Sequence, residues 1–131
     1  MMSTAACGGR EIPLVLQPAG EGALQNSGSE VLSEKTAAAL SLMLEKVMTE
    51  GTGRGNGLDI PVYGKTGTAE AVCGGMPLNR CWFSGWCDAG GRRFVVTVLA
   101  EEGRSGTASA LPVFCKIAEY LKVRGPQLSF R

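Results

Sequence analysis

The sequence contains no histidine. A zinc site would therefore need three or four thiolates, yet the five cysteines, Cys7, Cys73, Cys81, Cys87 and Cys115, are scattered and include no CxxC pair. Metal binding is set aside on that ground, and no cofactor is indicated. An odd number of cysteines also excludes complete internal pairing, so buried free thiols are the plain reading. Charge of one sign is missing too: thirteen basic residues face twelve acidic ones, for a net charge of +1. Neither nucleic acid nor an anionic membrane surface is suggested as a partner. No apolar run approaches the ~18 residues needed to cross a bilayer. The opening "MMSTAACGGREIP" lacks the basic n-region and apolar core of a signal peptide, so no export signal or anchor is read in this chain.

What is present reads as one globular domain or part of one. The 131 residues are 44% hydrophobic and 19% charged, far from the composition of a disordered chain. "MMSTAACGG" looks like the end of a helix stopped by Gly8 and Gly9, since glycine takes up a left-handed cap without steric cost. "IPLVLQ" is a short apolar strand, and "AGEGALQNSGSE" a loop with at most a weak second strand. The clearest helix follows: Ser33 is a natural N-cap, and Ala37, Leu40, Leu44 and Val47 recur at helical spacing until Gly51. The Gly-rich "GTGRGNGLD" is a turn or flexible loop leading into the strand "IPVYGKTGTAE", with Pro61 at its start. "AVCGGMPLNR" reads as a hairpin loop. "CWFSGWC" and "RRFVVTVLAE", separated by "DAGG", form two more strands. "SGTASALPVFCKIAEYL" closes the chain as a helix with Ala108, Leu111, Cys115, Ala118 and Leu121 on one stripe and Pro112 in its first turns. The order predicts an α+β fold: a three-stranded antiparallel sheet with a small N-terminal strand region, packed against helices.

The chemistry concentrates in "VYGKTGTAEAV". A phosphate-binding loop also ends in Gly-Lys-Thr, but the glycine it requires further upstream is Asp59 here, and Lys65 lies within a strand instead of between strand and helix. The alternative is a strand edge that holds an anionic, extended ligand. Lys65 supplies positive potential, the hydroxyls of Thr66 and Thr68 can bond a carboxylate, and Gly67 lets another backbone or an acyl group come close. A peptide would then add as an extra strand. Beside this stands the plainer reading that the glycines mark a bulge and Lys65 guards an exposed edge against aggregation. Trp82, Phe83 and Trp86 are read as core or cross-strand packing before a ligand groove. Arg92, Arg93 and "EEGR" are read as solvated strand ends.

Lys65-Thr66-Gly67-Thr68 resembles the third motif, K-T-G, of the penicillin-binding proteins and serine β-lactamases. "GKTGTAE" follows a helix and a "GTG" turn, and "CWFSGW", "RRFVVTVLAEE" and "ALPVFCKIAEYL" resemble the next two strands and the C-terminal helix of the transpeptidase domains of high-molecular-weight penicillin-binding proteins. "AACGGREIPLVL" is similar to the segment after that family's second motif. The resemblance covers essentially the whole chain and implies that residues 1–131 are a single partial domain, the C-terminal portion of a transpeptidase domain. It implies a catalytic part for Lys65, beside the nucleophile, and for Thr68, whose N–H supplies half of an oxyanion hole. Substrate binding falls to Lys65, Thr66, Gly67 and Thr68, with Thr66 and Thr68 holding the terminal carboxylate of a D-Ala-D-Ala stem peptide or a β-lactam. The parent protein would be extracytoplasmic and membrane-anchored, in which case Cys73 and Cys81, flanking the loop after the motif strand, are a candidate disulfide.

Two parts of the family's machinery are absent from the sequence. The residues three positions before the lysines are Leu32, Met43, Val62, Val113 and Glu119, so there is no S-x-x-K. Those two positions before the asparagines are Leu24, Arg54 and Pro77, so there is no S-x-N. Serine acyl transfer needs nucleophile, base and oxyanion donors together, so this chain alone is expected not to react with penicillin. The strands that border the last one in the family would also be missing. An open edge and face around Phe94 to Leu99 then favours self-association. A different class of function remains alongside: a non-catalytic module that binds a peptide or partner through its strand edge.

Overall fold

The structure, a computed structural model, describes residues 1–13 and 28–127. Helix α1 (Met2–Ala6) is stopped as its sequence predicts, with Gly8 and Gly9 at φ 66° and 94° and the Gly9 N–H closing back on the Thr4 carbonyl at 2.9 Å. Of the strand expected over "IPLVLQ", Ile12 and Pro13 belong to no element and the remainder lies outside the described residues. A single bridge, Arg10 to Glu30, joins the two described flanks of that region.

Helix α2 (Glu34–Thr49) starts where Ser33 Oγ accepts the Thr36 N–H at 3.2 Å, which satisfies one of the donors that a helix start leaves open. Ala37 and Met48 are its buried residues, while Leu40, Leu44 and Val47 are half-buried. The loop after it is ordered by a side chain: Asn56 donates to the Met48 and Gly53 carbonyls and accepts from the Leu58 N–H.

Strands β1 (Val62–Cys73), β2 (Met76–Ala89) and β3 (Arg92–Ala100) form one antiparallel sheet in the order β1-β2-β3. The loop expected over "AVCGGMPLNR" is instead almost entirely strand. Pairing runs unbroken to Cys73 opposite Met76, and only Gly74 and Gly75 turn, both with positive φ. Gly90 and Gly91 make the same two-residue connection between β2 and β3. Two positive-φ residues match the right-handed twist of the flanking strands, and glycine supplies them without strain. The unbroken register also removes the bulge reading of Gly64 and Gly67.

A π-helical turn (Gly106–Ala110) runs directly into helix α3 (Leu111–Arg124). The buried face of this stretch is Ala110, Leu111, Phe114, Ala118 and Leu121. Ala108, expected on that face, is exposed, and Cys115 is only half-buried. The π turn widens the helical repeat at its start, which rotates Ala108 outward, while within the α-helix Phe114, one turn after Leu111, takes the inward place expected of Cys115. Phe114 meets Phe83 of β2 with ring centroids 4.5 Å apart. Around this pair, Val62, Cys87, Ala89 and Met48 complete the larger core.

The opposite face of the sheet carries a smaller cluster of Ala5, Ala6 and Trp86, with Met2, Leu44 and Tyr63 packed against it. Tyr63 stacks on Trp86 across the β1–β2 pair at 4.8 Å, so Phe83 and Trp86 are core and cross-strand packing, as read from the sequence. The Trp86 indole N–H is buried without an acceptor among the described residues. Arg93 departs from its reading as a solvated strand end. It grips Asp88 through two nitrogens at 2.7 Å each and donates a third bond to the Ala6 carbonyl, tying α1 to the sheet. Met48 belongs to one core and Leu44 to the other, so α2, in contact with β1, contributes to both faces of the sheet.

Candidate functional site

The four motif residues lie in mid-strand on β1, which among the described residues is an edge strand. Alternation along the strand divides them. Thr66 and Thr68 pair with Phe83 and Cys81 and share the α3 face, whereas Lys65 and Gly67 pair with Ser84 and Trp82 on the other face. The Asp88 N–H donates to the Pro61 carbonyl at 3.4 Å, and this sets the phase of the ladder. Antiparallel pairs alternate between bonded and non-bonded, so the odd-numbered residues of β1 turn their main-chain groups to β2. Gly64, Thr66, Thr68 and Glu70 turn theirs to the open edge. Lys65 confirms that geometry, since its ammonium comes round from its own face to the outward Thr66 carbonyl at 3.0 Å. The edge N–H groups of Thr66 and Thr68 bond to no other described main-chain group.

The two glycines of the motif strand answer to different neighbours. A methyl at Gly64 would strike the Phe83 ring, so this glycine serves the core. At Gly67 a methyl would meet only Trp82 Cβ at 3.5 Å, ordinary contact, and the space on that side is open.

Two further residues reach the threonines, and neither is part of the motif. Thr52, from the turn after α2, places its hydroxyl 3.2 Å from that of Thr66. Gly106, first residue of the π turn, donates its N–H to Thr68 Oγ1 at 3.3 Å. The "GTG" turn was visible in the sequence. That its threonine would return to the strand fourteen residues on was not, because the return depends on Asn56 closing the intervening loop.

On the α1/α2 face lie Lys65, Trp82, Ser84 and Thr97, with the last two hydroxyls 2.7 Å apart. Nearer α1, burial pushes the Tyr63 phenol up, and Glu45 and Asp88 add to it. Hydrogen bonds to the Asp88 carboxylate hold the Arg93 guanidinium above its usual range. Burial likewise pushes the Cys87 and Cys115 thiols up, which keeps them protonated and poorly nucleophilic.

Cys73 and Cys81 do not pair. All five cysteines are free, and these two sit five ladder positions apart, since Cys73 faces Met76 while Cys81 faces Thr68. At about 3.3 Å per residue that is ~16 Å, far beyond a disulfide's reach. Among the described residues no three His, Cys, Asp or Glu side chains gather as metal ligands, and no helix is long and apolar enough to cross a membrane.

With this geometry in place, comparison with known proteins is informative. Residues 8–119 match the family model described as the penicillin binding protein transpeptidase domain. Among solved structures, the D,D-transpeptidase domain of a peptidoglycan glycosyltransferase from Eggerthella lenta is 34% identical, covering 73% of this chain and 22% of its own, with a TM-score of 0.56. A peptidoglycan glycosyltransferase from Burkholderia ambifaria is 25% identical, covering 98% of this chain and 40% of its own, with a TM-score of 0.70. The chain thus spans less than half the length of either. The comparison with curated proteins finds no match.

Proposed function

The chain belongs to the penicillin-binding protein transpeptidase family, and from that premise we propose that Lys65, Thr66, Gly67 and Thr68 form the wall on which the family's substrate is held. The observation that carries this reading is the phase of β1. Thr66 and Thr68 present both a hydroxyl and an unpaired N–H beside one open strand edge, next to a glycine with free space. An extended peptide ending in D-Ala-D-Ala would lie along that edge, its main chain bonded to the outward groups and its terminal carboxylate taken by the two hydroxyls. A β-lactam would lie the same way. In this reading the outward Thr68 N–H would donate to the oxygen of a tetrahedral intermediate, and losing such a donor typically costs about 10²–10³ in rate. Lys65 keeps the edge positive and stands at hand for proton transfer.

A carboxylate wall and half an oxyanion hole do not by themselves transfer an acyl group. The sequence holds no S-x-x-K and no S-x-N, so the nucleophile and its base must come from another segment, and residues 1–131 by themselves are inert toward penicillin. In this reading they are one partial domain of an extracytoplasmic peptidoglycan transpeptidase.

The test is labelling with a fluorescent penicillin. The 131-residue chain alone should take up no label, and a mixture with a segment bearing the two missing motifs should label on that segment's serine. Labelling of the chain by itself would refute the proposed inertness. A Thr68→Val chain that restores labelling as well as the original would refute the binding wall.

A further inference from the structure

We infer that the outer edge of β3 pairs antiparallel with the same edge of a second copy of this chain, about a two-fold axis at Thr97, so that two three-stranded sheets become one of six strands. The inference is independent of the binding-wall reading. β3 lies on the opposite side of the sheet from β1, so both motif strands would remain outermost.

The main chain of β3 is in the right phase for this. Odd-numbered residues of β1 bond to even-numbered ones of β2, so the odd-numbered residues of β2 bond to β3, and the register that sets Cys81 opposite Ala100 makes those partners even-numbered. Asn79 agrees, since its carbonyl accepts the Gly103 N–H at 3.1 Å just past the end of β3. Arg93, Val95, Thr97 and Leu99 therefore turn their N–H and C=O groups outward, where they bond to no other described main-chain group. The devices that usually protect an edge are missing along it. From Phe94 to Ala100 there is no proline, no charge and no bulge, whereas on the β1 edge the Lys65 ammonium covers the Thr66 carbonyl.

The side chains select the partner and the register. A two-fold at Thr97 sets Val95 opposite Leu99 of the second copy, Thr97 opposite Thr97, and the Arg92–Arg93 end opposite Glu101 and Glu102. Apolar, hydroxyl and opposite-charge pairs are the ones that stabilise an antiparallel ladder. Moving the axis by one residue, to Val96, keeps the phase but sets Arg93 against Leu99 and Val95 against Thr97. Val95, Thr97 and Leu99 are exposed on the face that α1 and α2 leave bare, so the flank of Leu99 would meet Val95 in place of water. The row begun by Trp82 and Leu99 then runs on into Val95 and the buried Trp86 of the second copy. Strength comes from the main-chain bonds and this apolar row. The charged ends fix direction and register instead, because Arg93 is already engaged with Asp88 and exposed ion pairs are worth little.

The test is covalent trapping. In a Cys73→Ser background, which removes the exposed native thiol, Thr97→Cys chains under mild oxidation should form a disulfide-linked dimer, with mass spectrometry locating the bridge between the two substituted positions. Facing residues of a bonded antiparallel pair have Cα atoms about 5.5 Å apart, within a disulfide's reach. Val95→Cys chains should not bridge to one another, since four ladder positions, about 13 Å, separate them, but should bridge to Leu99→Cys chains when the two are mixed. Thr97→Cys chains that bridge to Val95→Cys chains in preference to one another would overturn this register. Should Thr97→Cys lose its folded spectrum, the mixture decides. Glu101→Lys with Glu102→Lys should raise the dimer dissociation constant about tenfold at low salt, measured by sedimentation. An unchanged constant would overturn the part given to the charged ends. A monomer at every concentration would overturn the pairing itself, and the penicillin-labelling test would stand untouched.

Discussion

Gly64 and Gly67 are three residues apart on one strand and tolerate opposite things. Adding a methyl at Gly64 forces it into Phe83 in the center of the main core, and overpacking of this kind costs about 1–3 kcal/mol. The same methyl at Gly67 finds open space and should change stability by less than about 0.5 kcal/mol. Urea unfolding of the two alanine variants checks this, and on the binding-wall proposal Gly67→Ala should also weaken D-alanyl-D-alanine binding by narrowing the space beside the strand. Equal loss of stability in both would show that Gly67 is also a packing residue. The sequence presented these glycines as a matched pair around a lysine, and nothing in their spacing separated them. What separates them is the face of β1 on which each lies and the ring that crosses one face only. Lys65, Thr66 and Thr68 were legible as a polar group, since lysine and hydroxyls seldom interrupt a strand without reason. Thr52 and Gly106 were not, because their partners are distant in sequence.

The β1–β2 hairpin is longer than its sequence suggests. β3 pairs only with Cys81–Ala89, so Ala69–Arg80 continues as a two-stranded ribbon closed by Gly74 and Gly75, with Val72 and Met76 exposed near its tip. A two-stranded ribbon is marginal by itself, and local opening begins where few buried contacts hold the backbone. Hydrogen exchange should therefore release the ladder amides of Ala69–Cys73 and Met76–Arg80 at least tenfold faster than those of Trp82–Asp88. Uniform protection along β2 would mean that the ribbon is held by something else. Its legibility was partial for a physical reason. Gly-Gly signals a two-residue turn, but Pro77 and Asn79 beside it read as loop, and an exposed ribbon has no buried face to impose alternation. The reverse holds for α2, where a capping serine and a helical stripe agree and the structure follows. In α3 the stripe was legible but its phase was not, since the π turn at its start leaves no mark in composition.

At the scale of the whole molecule the sheet is covered unequally. α3 spans one face, while α1 and α2 cover only the Tyr63–Trp86 end of the other. Trp82, Val95 and Leu99 remain about two-fifths exposed on that face, and among the described residues no strand pairs with the outer edge of β3. The open surface expected around Phe94 to Leu99 is therefore half real: Phe94, Val96 and Val98 pack toward α3, and the alternate residues are the bare ones. An apolar face beside a free edge favours pairing between copies. Light scattering should find the chain self-associated at high concentration, and Val95→Lys with Leu99→Glu should return it to a monomer. A monomer at every concentration would refute this. The fold class was legible because three strands and two long helices follow one another with clear punctuation, whereas the sides left bare depend on topology. The two tryptophans give that topology an optical readout. Trp86 is sealed beneath α1 against Tyr63, and Trp82, on the same strand, faces solvent. Iodide should quench the red-edge emission of Trp82 and spare Trp86, so one fluorescence spectrum would report separately on the docking of α1 and on whatever comes to cover the bare face.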